Sequence, residues 1–565
     1  MYKRIFALLL SIVLLTSCSS APTEEVPEDL ETTSESSTIS EPEFDRENTL
    51  EVFMVGAPVS WGDEGDFNTT MYQIGDLPTN FHTWGEKGHI YYTALNDYQK
   101  QSTLDVHITY GQQYDLWTYL DDGNVPDLIV SDNRADIAEL MAQGEFLDLF
   151  PYFDKDGIYE SGNYVNPVLE AGLYFDHQYV FPLLFTMNAL ITSEQSLARH
   201  DLTLTSDYTF DDMVNTFATA YREAENTDDK HFLISHSTHS TQGTLYQVFA
   251  RASGQAAYNP KTGKVVLDRE YFKQMAELYE AFVCYDFNMT PDEIRIAAEQ
   301  EALEKAARSE SAGHDPAIVA KAKESRFLNA SEKNSRYARL FYSSAGIAQK
   351  FELTRNAFAC VADGAGFTGD LYSTLTQAYY YESRYTDAEE DFMIIGIPEK
   401  EDPDSYAASV TMFGVIPTGA VHPDEAYELL KKLADAEVFP HFGMSVNRDR
   451  LAETFDYFTS THYDYYSFQM PDSAETIEMG ADYQIKPMSE ETSEYLQGMV
   501  ENIDRVVLPN ADEFRIIQNA IEKYMYAGGI TLDEAYEVAV SNLELYYSGT
   551  LNEDDEYELV WGHGR

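Results

Sequence analysis

The chain has 565 residues, and its 97 acidic against 37 basic side chains give a formal net charge of −60. A field of that sign argues against nucleic acid and anionic membrane surfaces as partners. The chain is also too long for a single hydrophobic core, so two or more lobes are expected.

The chain opens with MYKRIFALLLSIVLLTSCSS. Lys3 and Arg4 precede a greasy run over residues 5–15, shorter than the roughly 20 residues a membrane span needs. The pattern fits a signal peptide over 1–17. Leu15-Thr16-Ser17-Cys18 is similar to a bacterial lipobox, which implies diacylation (palmitate) of Cys18 after cleavage. Residues 18–45, rich in Ser, Thr, Glu and Pro, cannot bury enough surface to fold and read as a tether. Together these predict a lipid-anchored protein on the extracellular face of the cell membrane.

Next come β/α units. TLEVFMV and LDVHITY read as strands, with a helix-like stretch over 89–102 between them. A second helix is expected over 114–121, and Val125-Pro126-Asp127-Leu128-Ile129-Val130 suits a buried parallel strand. Strands alternating with helices predict an α/β fold with mostly parallel sheets. Thr209 caps a helix whose core face is Met213, Val214, Phe217, Ala218 and Tyr221. Residues 290–339 are nearly charge-balanced and rich in Ala, Glu, Lys and Arg, and read as a helical insert of two solvated helices. Pro423 opens another helix, and Thr531-Leu532-Asp533-Glu534 is a capping box for the last one, with Gly549 as its stop.

Motifs for catalysis are missing: there is no HExxH, GxSxG or GxxxxGK[ST]. His231, His236 and His239 lack a flanking acidic ligand set, so solvated or capping histidines are expected there rather than a metal site. Asp154-Lys155-Asp156-Gly157 reads as a turn, not a calcium loop. Neither metal nor cofactor is expected. Cys284 and Cys360, the cysteines beyond Cys18, are open to pairing outside the cell or to remaining buried thiols.

Several stretches, in this order, resemble bacterial extracellular solute-binding proteins, family 1. They are ALNDYQKQSTLDVHITYG, VPDLIVSDNRADIAELMAQGEFLDLFPY, YVFPLLFTMNALITS with Pro182, and IGIPEKEDPDSYAASVTMFGVIPTGAVHPDEAYELLKKLAD. MSVNRDRLAE and TLDEAYEVAVSNLELYYSG continue the likeness to the end of the chain. Where the family often has a tryptophan this chain has Phe367, and where it often has an asparagine this chain has Ser193.

The resemblance implies a two-lobed periplasmic-binding-protein-like fold of type II, with a ligand cleft between lobes of sheet flanked by helices. The implied division is lobe 1 over 46–182, lobe 2 over 183–390 including the insert, a return to lobe 1 over 391–447, and a C-terminal helical region over 448–565 packing mainly on lobe 2. It implies a monomer that captures a sugar or oligosaccharide for the permease subunits of an ABC importer and is not an enzyme. A peptide or other polar solute, a sensing role, and a secreted carbohydrate-active enzyme are the alternatives. Ligands of doubly wound sheets sit beyond the carboxyl ends of the strands. That nominates Trp61, Trp84, Asp132, Asn133 and Phe185 on one side, and Gln242, Tyr246 and Phe367 on the other.

Overall fold

The computed structural model describes residues 45–55, 72–74, 77–79, 91–111, 113–200, 208–223, 231–235, 248–324, 326–328, 357–362, 374–436, 443–460, 467–469, 476–478 and 486–549. Eleven strands in these segments build two sheets. In chain order they are β1 (Thr49–Val55), β2 (Asp105–Gly111), β3 (Leu128–Ser131), β4 (Phe181–Met187), β5 (Ala189–Ser193), β6 (His231–Ser235), β7 (Ala357–Ala362), β8 (Phe392–Gly396), β9 (Tyr406–Val415), β10 (Met444–Ser445) and β11 (Ile503–Val507). The large sheet runs β10-β4-β9-β3-β1-β2, with β11 beside β9, and the small sheet runs β6-β7-β5-β8.

The large sheet explains its own sequence. Every residue of β1 and of β4 is buried, as expected of central strands covered on both faces, whose sequences read as apolar runs instead of alternating. β1 pairs in parallel with β2 and β3, while β9 runs antiparallel to both β3 and β4. The sheets are therefore mixed. β9 enters the large sheet at the edge by which β4 leaves it, and so runs the other way. Its Gly414 lets a covering helix approach closely: a Cβ there would lie 2.3 Å from Leu430 Cδ2.

Among the described residues the chain passes between the sheets three times. β4 leads directly into β5 through Asn188; residues 397–405 link β8 to β9; and residues 508–510 link β11 to the helix Ala511–Glu522. That helix packs Ile516, Ile517, Ala520 and Ile521 into the second core, beside the helices Phe210–Glu223, Arg269–Phe287 and Leu532–Tyr547. The expected lobe boundary at 182/183 thus falls inside β4, which pairs within the large sheet through Phe185. The return expected from 391 begins later, because Phe392 to Gly396 pair with β5 in the small sheet.

The described part of the insert, residues 290–324 and 326–328, holds the helices Pro291–Ser311 and Pro316–Glu324. Thr290 closes a full capping box with Glu293, and Ile294, Ala298, Ala302 and Ala306 form the buried stripe. The other capping box, Thr531 with Glu534, is present as read. Asp154-Lys155-Asp156-Gly157 is a helix end, with Gly157 left-handed at φ +61° and Asp156 paired to Lys431 at 2.5 Å.

Asp127, in the VPDLIV stretch, anchors the large sheet. Its carboxylate is fully buried and accepts from the backbone N–H of Glu51 at 2.9 Å, Val421 at 2.7 Å and His422 at 2.9 Å. Arg46 adds a contact at 3.3 Å. One side chain therefore joins β1, the approach to β3 and the turn after β9. Asp127→Ala leaves the buried Glu51 N–H and the part-buried N–H groups of Val421 and His422 without their acceptor, and a buried donor left unmet costs about 1–3 kcal/mol. The expected loss of stability is about 3 kcal/mol or more, measured as the shift of the urea unfolding midpoint.

Candidate ligand cleft

Strand direction locates the candidate site. β1, β2, β3 and β4 run the same way, because β4 and β3 are both antiparallel to β9. Their carboxyl ends therefore share one edge of the large sheet. In the small sheet β6 and β7 are parallel, and β5 runs against β7 and β8. Ala362, the last residue of β7, and Gly396, the last of β8, both pair with Ala189, the first of β5. The carboxyl edge of the small sheet thus meets the carboxyl edge of the large one at Asn188, where β4 passes into β5. Carboxyl edges are where open α/β sheets bind ligands.

Three polar side chains, Asn188, Thr186 and Thr374, stand at this junction among buried apolar neighbours such as Met187 and Ile397. Thr186 and Thr374 are buried and their hydroxyls lie 3.1 Å apart. The Thr374 hydroxyl also donates to the Met187 carbonyl. Thr374 opens the helix Thr374–Asp387, so the exit from β4 is fixed to the start of a helix 187 residues further on. The carbonyl of Asn188 accepts from Ile397 N at 3.1 Å, joining the first two crossings.

A second cluster forms beyond β3. Asn133 caps the short 3-10 turn Arg134–Asp136, and its Oδ1 accepts from Ala135 N and from Ala511 N, both at 3.1 Å. Arg134 N donates to Pro509 O at 2.8 Å. The Arg134 guanidinium lies 6.0, 5.8 and 6.0 Å from the ring centroids of Tyr174, Tyr258 and Tyr547. Tyr258 and Tyr547 are stacked at 3.6 Å, and the hydroxyls of Tyr174 and Tyr258 lie 3.3 Å apart. Tyr547 donates to the Glu513 carboxylate.

The nominated residues divide accordingly. Asp132 is exposed at the end of β3. Asn133 is a cap and an inter-element bridge, its amide oxygen already committed to two backbone donors. Phe185 is wholly buried, part of the core cluster of the large sheet and paired in register with Val410 and Met444. Trp61, Trp84, Gln242, Tyr246, Phe367 and Cys18 lie outside the described residues. So do His236 and His239, the side chain of His231, and the side chain of Cys360; Cys284 is a free, half-buried thiol. Among the described residues no group of three His, Cys, Asp or Glu is placed to hold a metal ion, and no helix is long and apolar enough to cross a membrane. Thr186, Asn188, Thr374 and Arg134 were not singled out from sequence. Arg134 adjoins a nominated pair, but nothing local marks the tyrosines that surround it.

No family model and no curated protein matches this chain. Solved structures of similar shape include an ABC transporter solute-binding protein from Thermotoga lettingae TMO bound with α-D-tagatose. It is 13% identical, with 88% of this chain and 100% of that chain covered and a TM-score of 0.47. Another is an ABC substrate-binding protein from Listeria monocytogenes in complex with cycloalternan, 12% identical over 89% of this chain and 99% of that chain, with a TM-score of 0.44. A third is an extracellular solute-binding protein family 1 member from Alicyclobacillus acidocaldarius, 12% identical over 88% and 98%, with a TM-score of 0.43. None of these alignments reaches a TM-score of 0.5, so any functional reading has to stand on this chain's own topology and residues.

Burial raises the Glu513 carboxyl above its usual pKa, against the opposing pull of the Tyr547 hydroxyl and Arg134. A carboxyl raised in the folded state stabilises the fold below its unfolded pKa and loses that contribution as pH rises through the folded value. Glu513→Gln, which keeps the shape without the charge, is expected to unfold at a higher temperature than wild type near pH 7. The advantage should shrink toward about pH 4. A difference in Tm that stays constant across that range would show that the carboxyl is not raised.

Proposed function

We propose that this chain is an extracellular, lipid-anchored solute-binding protein of an ABC importer, which captures a sugar or oligosaccharide by closing two lobes around it. The observation that carries the reading is the meeting of two sheet carboxyl edges at a junction that holds three polar side chains and is crossed three times by the chain among the described residues. Such an arrangement binds by hinge motion: ligand contacts made with both lobes favour the closed form over the open one. The closed form is then what permease subunits read. Lobe 1 is proposed to hold the large sheet and lobe 2 the small one.

Trp61, Trp84, Asp132, Gln242, Tyr246 and Phe367 are proposed as ligand contacts in this cleft. Aromatic faces suit the C–H surfaces of sugars, while carboxylates and amides hold hydroxyls. Diacylation at Cys18 would hold the protein at the outer face of the membrane, with residues up to about 45 as the leash.

The test is thermal unfolding of residues 46–565 against mono- and oligosaccharides and short peptides, with the added compound assayed afterwards. A ligand at a hundredfold excess over Kd stabilises by about 2.7 kcal/mol. A clear rise in Tm with one glycan class, and no consumption of it, is expected. Consumption would replace capture with catalysis, and a rise with peptides alone would keep the cleft and discard the sugar.

A further inference from the structure

Asn188 occupies the single position between β4 and β5, immediately beyond the carboxyl end of β4 and level with the ends of β7 and β8. It is 2% exposed. Neither Nδ2 nor Oδ1 of its side chain has a hydrogen-bond partner among the described residues, although its backbone carbonyl is satisfied by Ile397 N. Thr186, two positions back, is held by Thr374, so the polar groups beside it are already engaged.

An amide buried with its donors and acceptor unmet is destabilising, whereas an apolar side chain of the same volume would remove that cost. Native proteins leave such groups chiefly where a ligand or ordered water will meet them. The position fits the first case, since this is where the carboxyl edges of both sheets converge.

We propose that the Asn188 carboxamide is a specificity-determining ligand contact at the floor of the cleft. Parting the lobes uncovers it, and it donates to and accepts from the hydroxyls of an uncharged, polyhydroxylated ligand. The proposal rests on the capture reading and deepens it by naming the ligand chemistry. A primary amide presents donor and acceptor side by side, matching a hydroxyl pair, where a carboxylate or an ammonium would select charge.

Asn188→Leu and Asn188→Ala, made in the full chain in detergent micelles, test it by calorimetric titration with maltotriose, mannotriose and cellotriose. Tm of the unliganded protein is recorded alongside. The expected result is an unliganded Tm equal to or above wild type for Asn188→Leu. For both variants, affinity for whichever trisaccharide the wild type binds should fall at least about tenfold. Unchanged affinity in both variants overturns the proposal while leaving sugar capture intact. A large fall in Tm in both variants also overturns it, because the amide would then be paired in the folded protein. If the wild type binds no trisaccharide, the carbohydrate reading falls and the proposal falls with it.

Discussion

The fold turns on the shortness of one connection. Met187 ends a strand of the large sheet and Ala189 begins a strand of the small one, with a single residue between them. With no slack in that link, the exit edge of one sheet must lie against the entry edge of β5 in the other. Antiparallel pairing of β5 with β7 and β8 then brings the carboxyl ends of those strands to the same place. The position of the candidate cleft follows from strand direction and one short link, before any side chain is considered.

The other two crossings are tied to each other by charge. Glu399 leaves β8 and is 1% exposed, and Arg505 on β11 approaches it at 3.6 Å. Burial raises the Glu399 carboxyl against the pull of that arginine. Gly254 lines the same spot in a left-handed conformation at φ +65°, where a Cβ would lie 3.2 Å from Glu399 Oε2 and 3.3 Å from Arg505 Cδ. A side chain there would press on the pair and on the backbone that changes sheets, so glycine is needed for both space and conformation.

Much of the fold was legible because its signals are local. The apolar runs of β1 and β3, the cap at Thr209 and the box at Thr531 each lie within a few residues, and each is where the sequence suggested. The site was harder to read for the opposite reason. Asn133 looks like a free amide in a polar loop, yet it is occupied by Ala511 N, 378 residues away. Phe185 lies in a strand buried on both faces, where no alternation separates a cleft residue from a core residue. Asn188 sits in an apolar stretch and carries no local mark; only the pairing of β5 with its neighbours gives it meaning.

Distance from the crossings also decides which contacts a hinge would spare. In a rotation about three short links, groups beside the links move least and those at the rim move most. Arg134 N to Pro509 O touches the third link itself, and Asn133 Oδ1 to Ala511 N touches the first residue of the helix it leads into. They therefore suit a joint kept in open and closed forms alike, and the stacked Tyr258 and Tyr547 extend that joint toward Tyr174. Ligand grip then belongs to groups that are not already committed to holding the joint. Near β3 that criterion removes the Asn133 oxygen, whose two donors are backbone. At the exit of β4 it removes the Thr186 hydroxyl, which is engaged with Thr374, and leaves the amide of Asn188.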